Sequence, residues 1–515
     1  MEKIKSSFIE LAEIFQDNMT LQRDKTIKIW GVSRKKQRIF VLLDDVQIYE
    51  GELSEGKFEI NLPSQEAAEN QMMNIRNYKG EEIVIHNVDI GEVWIAGGQS
   101  NMEFPLLCDR DGERVIASAN DKHLRYYEVG KYAFEGEREE KLKDDHRWNH
   151  WREFIPEKCT HFSAVGTYFA MQLREKLQVP VAVIGCCWGG TSASAWLKEE
   201  LLRTDKELQV YTNAYDQAVA KMNLEKYIKS DYKKRIFMGQ EKNTVGAEIT
   251  MKNEVTAPLK FPMKQLVKIM LRNQKTGPHD CNRPGGLYQT MLTKIIGYTV
   301  KGVIWYQGES DEHQAALYSH LFTKMISCWR QEWNDTLPFL FVQVAPWESW
   351  MSQNGKNYPE IRAQQQYVED HVEGTHMVSI MDIGSRFDIH PKVKEPVGNR
   401  LALLALELIY GLTQKYCQAP RISRVEREGK NIVIYFEHAE DGLVAEGNIE
   451  NLFTITQKGK SIPAAVTVTG NHILLTCNDL SEEKAMIAFA YQPFLTMSLF
   501  NHGGLAARPS APQEI

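Results

Sequence analysis

Several things are scarce in this 515-residue sequence. It holds only eight cysteines, at positions 108, 159, 186, 187, 281, 328, 417 and 477. None forms a CxxC pair, and none sits with histidine at zinc spacing. A disulfide scaffold and a structural zinc site are thereby excluded, and reduced thiols in the cytosol are expected. Long hydrophobic runs are missing too. The most apolar stretches, Leu337–Trp347 and Leu401–Tyr410, are too short to span a bilayer. The opening MEKIKSSFIELAEIFQDN interleaves Lys and Glu with its apolar residues, so no signal peptide is expected. A cytoplasmic location follows as the expectation. Positive charge is not in excess: 61 Lys plus Arg against 68 Asp plus Glu leave −7. A protein that binds by neutralising phosphates needs the opposite balance. Neither nucleic acid nor membrane is expected as a partner, while a homo-oligomer stays open. No GxSxG occurs, so the ordinary nucleophile elbow of α/β-hydrolases is absent.

What remains is ordinary globular composition, 43% hydrophobic and 25% charged, with eleven Trp and twenty Tyr. The length predicts two to four domains. Residues 27–90 read as β: KFEINLP alternates apolar and polar residues at period two, and no helical period appears between 35 and 65. A buried strand is expected at Glu92–Ala96. From there apolar strands alternate with helical stretches. VPVAVIGCCWGG, VKGVIWYQGES and PFLFVQVAP are continuous apolar runs that end in polar or Gly-rich turns, as buried parallel strands do. HFSAVGTYFAMQLREKL, LYSHLFTKMISCWRQEW and VGNRLALLALELIYGL carry apolar residues at helical spacing. The alternation predicts an α/β fold with a doubly wound parallel sheet. Two charged stretches, 109–155 and 199–275, read as surface insertions or as lids that border a site. After Pro420 the β pattern returns, with turns at EGKN, KGK and GNH. The expected domains are a β module over 1–90, an α/β domain over 91–415 and a C-terminal β-sandwich-like module over 416–515.

Sites in such sheets lie at the carboxyl ends of the strands. Four strand ends offer Gly97-Gly98-Gln99-Ser100-Asn101, Trp188-Gly189-Gly190-Thr191, Gln307-Gly308-Glu309 and Asp388-Ile389-His390. Together they supply a hydroxyl, glycine backbone donors, a side-chain amide and an Asp/His pair. These are the components of acyl transfer through a serine nucleophile. Singly, each also has a plain structural reading: Ser100 as a helix cap, the glycines as a turn, His390 as a packed residue. In extended chain Asp388 and His390 point to one side, which allows the carboxylate to steady the imidazole while His390 takes the Ser100 proton. The Ser100 N–H, a Gly190 N–H and the Gln307 amide are the oxyanion candidates. Cys186 and Cys187 end an apolar strand and read as inert packing.

These residues carry a resemblance. GGQSNMEFPL, VPVAVIGCCWGGTSASAWL, PGGLYQTM, KGVIWYQGESD and DIHPKVKEPVGNRLAL look like successive blocks of the sialate O-acetylesterase family, a group of SGNH (GDSL-like) hydrolases. The resemblance also covers FQDNMTLQRDKTIKIWG near the start and LFNHGGLAARPSAP near the end. It implies an SGNH-type core flanked by β modules and a serine esterase that removes acetyl groups from sugars without metal or cofactor. Ser100 then matches the nucleophile, His390 the base and Asp388 the orienting acid, with Gly190 and Gln307 at oxyanion positions. Many relatives place Asp three residues before His, whereas the interval here is two, so Asp382 is the fallback acid. Many carry Asn in the third block where this chain offers Gln307 or Glu309, and a neutral amide is the better donor. Gln99, Asn101, Trp188, Glu309 and Trp347 are expected at the acetylated sugar, with Trp350 beside Trp347. Arg283 reads either as a contact for an acidic sugar's carboxylate or as an ordinary surface residue. The rival functions are an acetylesterase for hemicellulose oligosaccharides (xylan, mannan, xyloglucan) and a non-catalytic carbohydrate-binding protein.

Overall fold

The computed structural model describes residues 8–137, 148–230, 276–350 and 353–515. The architecture is mixed α/β with several sheets. The chain divides into two compact units. The first is Met1–Glu248, Gln274–Trp305 and Lys324–Phe339; the second is Ile249–Asn273, Tyr306–Thr323 and Leu340–Ile515.

The first unit opens with an antiparallel sheet in which Ile27–Ser33 lies between Ile9–Leu11 and Gly56–Leu62. In the last of these Phe58, Ile60 and Leu62 are buried while Glu59 and Asn61 face water, the period of two that KFEINLP predicts. The central element is the seventeen-residue strand Glu82–Gly98. Its first half runs antiparallel to Ala68–Asn77 and its second half parallel to Val181–Cys187. Every residue from Val88 to Gly98 is buried, as expected of a strand covered on both faces. Asp121–Glu128 lies beyond Val181–Cys187, also parallel, with Trp151–Phe154 as an antiparallel edge. Gly302–Tyr306 flanks the long strand on its other side. Helix Ala164–Leu177 begins where the Ser163 hydroxyl accepts the Gly166 N–H at 3.0 Å, and stops at left-handed Gln178. Trp94 meets its Phe169 edge-on at 5.1 Å. Trp305 is packed between Trp196 and Trp329, at 6.4 and 5.7 Å, and is a core residue.

Two expectations change here. The boundary drawn at residue 90 falls inside one continuous strand. The charged stretch 109–155 is more than an insertion, because it contributes Asp121–Glu128 to the interior of the sheet. Arg125 disguised this strand as surface. Its fully buried guanidinium bonds the Asp89 carboxylate at 2.8 Å and the carbonyls of Met19 and Asn87 at 2.9 and 2.7 Å. A hydropathy pattern cannot register a charge whose partners lie far away in sequence. Of the stretch 199–275, residues 199–230 include helices Glu199–Thr204 and Gln209–Ala220, and residues from 231 on lie outside the described residues.

In the second unit Phe339–Val342 and Thr375–Val378 are neighbouring strands, accompanied by helices Tyr358–His371 and Glu395–Leu404. The three turns expected after Pro420 are all hairpins. Glu428 pairs with Asn431, Gln457 with Lys460 and Thr469 with His472. Two four-stranded antiparallel sheets result, and Ile434, Phe436 and Leu475 of one share an apolar core with Ile455, Ile487 and Phe489 of the other.

Candidate functional site

In the first unit the long strand ends at Gly98, whose φ of +131° suits glycine and turns the chain out of the sheet. The short helix Ser100–Glu103 follows at once, so Ser100 occupies its first turn at the carboxyl end of a parallel strand. Gln99, Ser100 and Asn101 are all buried. The helix is moored to its surroundings: the Ser163 hydroxyl donates to the Met102 carbonyl at 2.6 Å, and the Ala164 N–H to that of Phe104 at 2.8 Å.

The turn after Val181–Cys187 lies against this helix. The Trp188 N–H donates to the Gly98 carbonyl at 3.1 Å. Gly189 faces Ser100 so closely that an added Cβ would come 3.2 Å from the serine Cβ. Its N–H donates to Glu103 Oε2 at 2.6 Å, while Oε1 of the same carboxylate receives the Lys131 ammonium. Lys131 also lies over the rings of Trp148 and Trp188, at 5.4 and 5.7 Å. Burial is the largest influence and opposes its charge, but the neighbouring groups, Glu103 first among them, together outweigh it and hold the pKa above the usual lysine value. Among the described residues Gly190, at φ +74°, has no hydrogen-bond partner on its N–H. Glu103 and Lys131 were not foreseen. Glu103 lies three residues after Ser100 and could have been found as a carboxylate on the same helical turn. Lys131 sits in a stretch that reads as solvated charge.

In the second unit Gln307 is fully buried. Its amide donates to Asp311 Oδ2 at 2.6 Å, and its Oε1 accepts the Tyr318 hydroxyl at 3.0 Å. Gln365 bonds its backbone carbonyl at 3.1 Å. Gly308 follows at φ +150°, where a Cβ would approach Val344 Cγ1 to 2.7 Å. The plane of the Gln307 amide is thus fixed by two side chains. Glu309 is nearly buried.

Asp388 is buried and holds the turn that carries His390. Its Oδ1 accepts the His390 backbone N–H at 2.9 Å, and its Oδ2 pairs with Lys392 at 2.9 Å. Asp382 is committed to Arg400, which grips it through two nitrogens at 2.8 and 2.7 Å. Burial lowers the His390 pKa to about 3, with Lys394 and then Lys392 adding to the effect. The ring is therefore neutral at ordinary pH. Trp347 is buried and leans on Tyr358 at 4.9 Å. The Trp350 side chain lies outside what is described. Burial raises the thiols of Cys186 and Cys187, which removes them as thiolate nucleophiles.

Comparison with known proteins finds carbohydrate esterases. Residues 229–406 match the family of carbohydrate esterases described as sialic acid-specific acetylesterase. The chain is 28% identical over 370 residues to the sialate O-acetylesterase of Mus musculus, covering 67% of this chain and 62% of that protein. It is 25% identical over 380 residues to the sialate O-acetylesterase of Rattus norvegicus, covering 69% and 64%. A solved carbohydrate acetylesterase from Xanthomonas citri is 26% identical and superposes with a TM-score of 0.75 over 98% of this chain and 99% of that one. The chain therefore spans a little under two thirds of the length of the curated relatives it matches. In fold it is an α/β protein of the carbohydrate-esterase kind. More narrowly, its sequence is similar to the sialate O-acetylesterases.

Proposed function

We propose that this chain is a serine carbohydrate O-acetylesterase. The observation that carries the reading is the setting of Ser100, on the first turn after a parallel strand and pressed against the Gly189 turn. On this reading the parallel strands form an SGNH-type core flanked by the two β regions, and the reaction needs no metal. His390 takes the Ser100 proton, and the serine oxygen attacks the acetyl carbonyl. The Ser100 N–H, the Gly190 N–H and the fixed amide of Gln307 receive the oxyanion. His390 returns the proton to the leaving sugar oxygen, and the acetyl group stays on Ser100. Water, deprotonated by His390, then attacks the acetyl-serine carbonyl, and acetate leaves as His390 returns that proton to the Ser100 oxygen. Asp388 serves as a positioning residue through the turn it holds. Gln99, Asn101, Trp188 and Glu309 are proposed to border the sugar, and Trp347 to support that wall from within the core.

The decisive measurement is acetate release from O-acetylated N-acetylneuraminic acid and from acetylated xylo-oligosaccharides, side by side. A higher kcat/KM on the sialic acid is expected. Preference for the xylan ester would move the substrate to hemicellulose, and no acetate from either would leave a carbohydrate-binding protein.

The Glu103–Lys131 pair gives a second test. Its carboxylate anchors the Gly189 N–H, and so the turn beside the nucleophile. Glu103→Ala is expected to lower kcat about tenfold to a hundredfold with KM little changed, the signature of a displaced oxyanion turn. An unchanged kcat would refute the positioning role.

A further inference from the structure

In the second unit the candidate base lies in a stretch without regular structure. Between strand Thr375–Val378 and helix Glu395–Leu404, residues 379–394 form only turns and bends. Asp388 fixes the local turn at His390, but it does not fix the stretch against its surroundings. Chain of this length with no backbone ladder opens easily unless its neighbours tie it down.

The ties come from the loop after Phe339–Val342 and from the C-terminal β region. Met381 is buried in the apolar core of the C-terminal sheets. Gly384 lies against Pro346, where an added Cβ would fall 2.2 Å from the proline carbonyl oxygen. Arg386 makes the most contacts. Its carbonyl accepts the N–H groups of Glu348 and Ser349, both at 3.2 Å, and its Nη1 meets Glu348 Oε2 at 2.9 Å. Its guanidinium lies over the Phe494 ring, 4.9 Å from the centroid. Phe494 belongs to the stretch after strand Met486–Phe489, and that stretch grips the same loop: the Pro493 carbonyl accepts the Trp347 N–H at 2.8 Å. One side chain, two residues before Asp388 and four before His390, therefore joins three segments. An exposed ion pair such as Arg386–Glu348 holds little alone. The ring face and the two backbone bonds give the contact its direction, and a planar guanidinium serves ring and carboxylate at once.

We propose that Arg386 is a positioning residue for the base: clamped between Glu348 and Phe494, it fixes the stretch 379–394 so that His390 keeps its place. The C-terminal β region, through Phe494, thereby takes part in catalysis without touching the substrate. The catalytic consequence rests on the esterase reading above, whereas the clamp itself is measured without turnover.

Phe494→Ala removes the ring and alters no charge. It is expected to lower kcat about tenfold with KM little changed. The acid limb of kcat/KM should also move to higher pH, because a loosened His390 is better hydrated; a mere loss of folded protein would leave the limb in place. Arg386→Met is expected to cost a similar factor in kcat, and the double variant no more than either single one, since the two side chains act together. Phe494→Tyr keeps the ring and should recover most of the rate. Hydrogen exchange of the whole chain, followed by mass spectrometry, reads the clamp directly: peptides from 379–394 should exchange severalfold faster in Phe494→Ala, and those from helix Ala164–Leu177 should not. Unchanged exchange in 379–394 would overturn the proposal. So would an unmoved limb in an active Phe494→Ala chain, losses that multiply in the double variant, or a Phe494→Tyr chain as impaired as Phe494→Ala. Faster exchange in a protein that releases no acetate from any sugar ester would defeat the esterase reading alone, and acetate release with unchanged exchange would defeat only the clamp.

Discussion

Ser100→Ala is expected to lower acetate release by about 10⁴-fold or more, because a nucleophile removed from a serine hydrolase takes nearly all of the chemical rate with it. The change deletes one oxygen and keeps the Cβ that packs on Gly189, so the short helix and its moorings should persist. Binding of the sugar should therefore survive while turnover does not. The measurement is a time course of acetate with the acetylated sialic acid, alongside calorimetry with the deacetylated sugar. Turnover within tenfold of the unaltered chain would rule out Ser100 as nucleophile.

The second large effect is at His390. His390→Ala is expected to cost on the order of 10³-fold or more in kcat, the range of a lost general base. Its pH behaviour follows from its surroundings. A ring with a pKa near 3 is neutral and able to accept a proton across all of the near-neutral range. The acid limb of kcat/KM should accordingly fall well below the usual histidine value of about 6.5. Lys394→Met removes one of the charges that depress it, so the limb should move to higher pH. A limb that stays in place, or that sits near 6.5 in the unaltered chain, would exclude His390 as the titrating base. The same shift affects stability. The unfolded ring binds a proton below about 6.5 and the folded one only near 3, so stability rises with pH across that window and is lost as pH falls through it.

Much of this was readable from residue order, and the exceptions share a cause. Strands with a local signature were plain. The alternation in KFEINLP, the unbroken apolar run before Gly189 and the glycine-marked hairpins after Pro420 each depend on near neighbours. The strand Asp121–Glu128 was hidden because Arg125 finds its partner in Asp89 and its acceptors in Met19 and Asn87. Lys131 was hidden for the same reason, since only the fold brings it to Glu103. The setting of Ser100 was legible because its glycine turn and strand end are local, whereas Asp388 and His390 lie in irregular chain beyond Thr375–Val378 and not at a strand end. The groups that hold these residues are not local. Lys392 takes one oxygen of Asp388, Asp311 and Tyr318 fix Gln307, and Arg400 claims Asp382. Two-residue spacing suggested that Asp388 could steady the imidazole, but it carried no information on the backbone N–H that the carboxylate accepts.

The strand Glu82–Gly98 has a bearing on how this protein can be shortened. One half of it is a rung of the N-terminal sheet, and the other half ends at the turn before Ser100. A chain cut to begin at residue 82 would keep the strand and lose Ala68–Asn77 and Thr20–Gln22, its neighbours along the first half. A row of bare amides and carbonyls would then face water, ready to pair with a second copy. The N-terminal β region is in that sense a guard against aggregation, and any trimming should keep it.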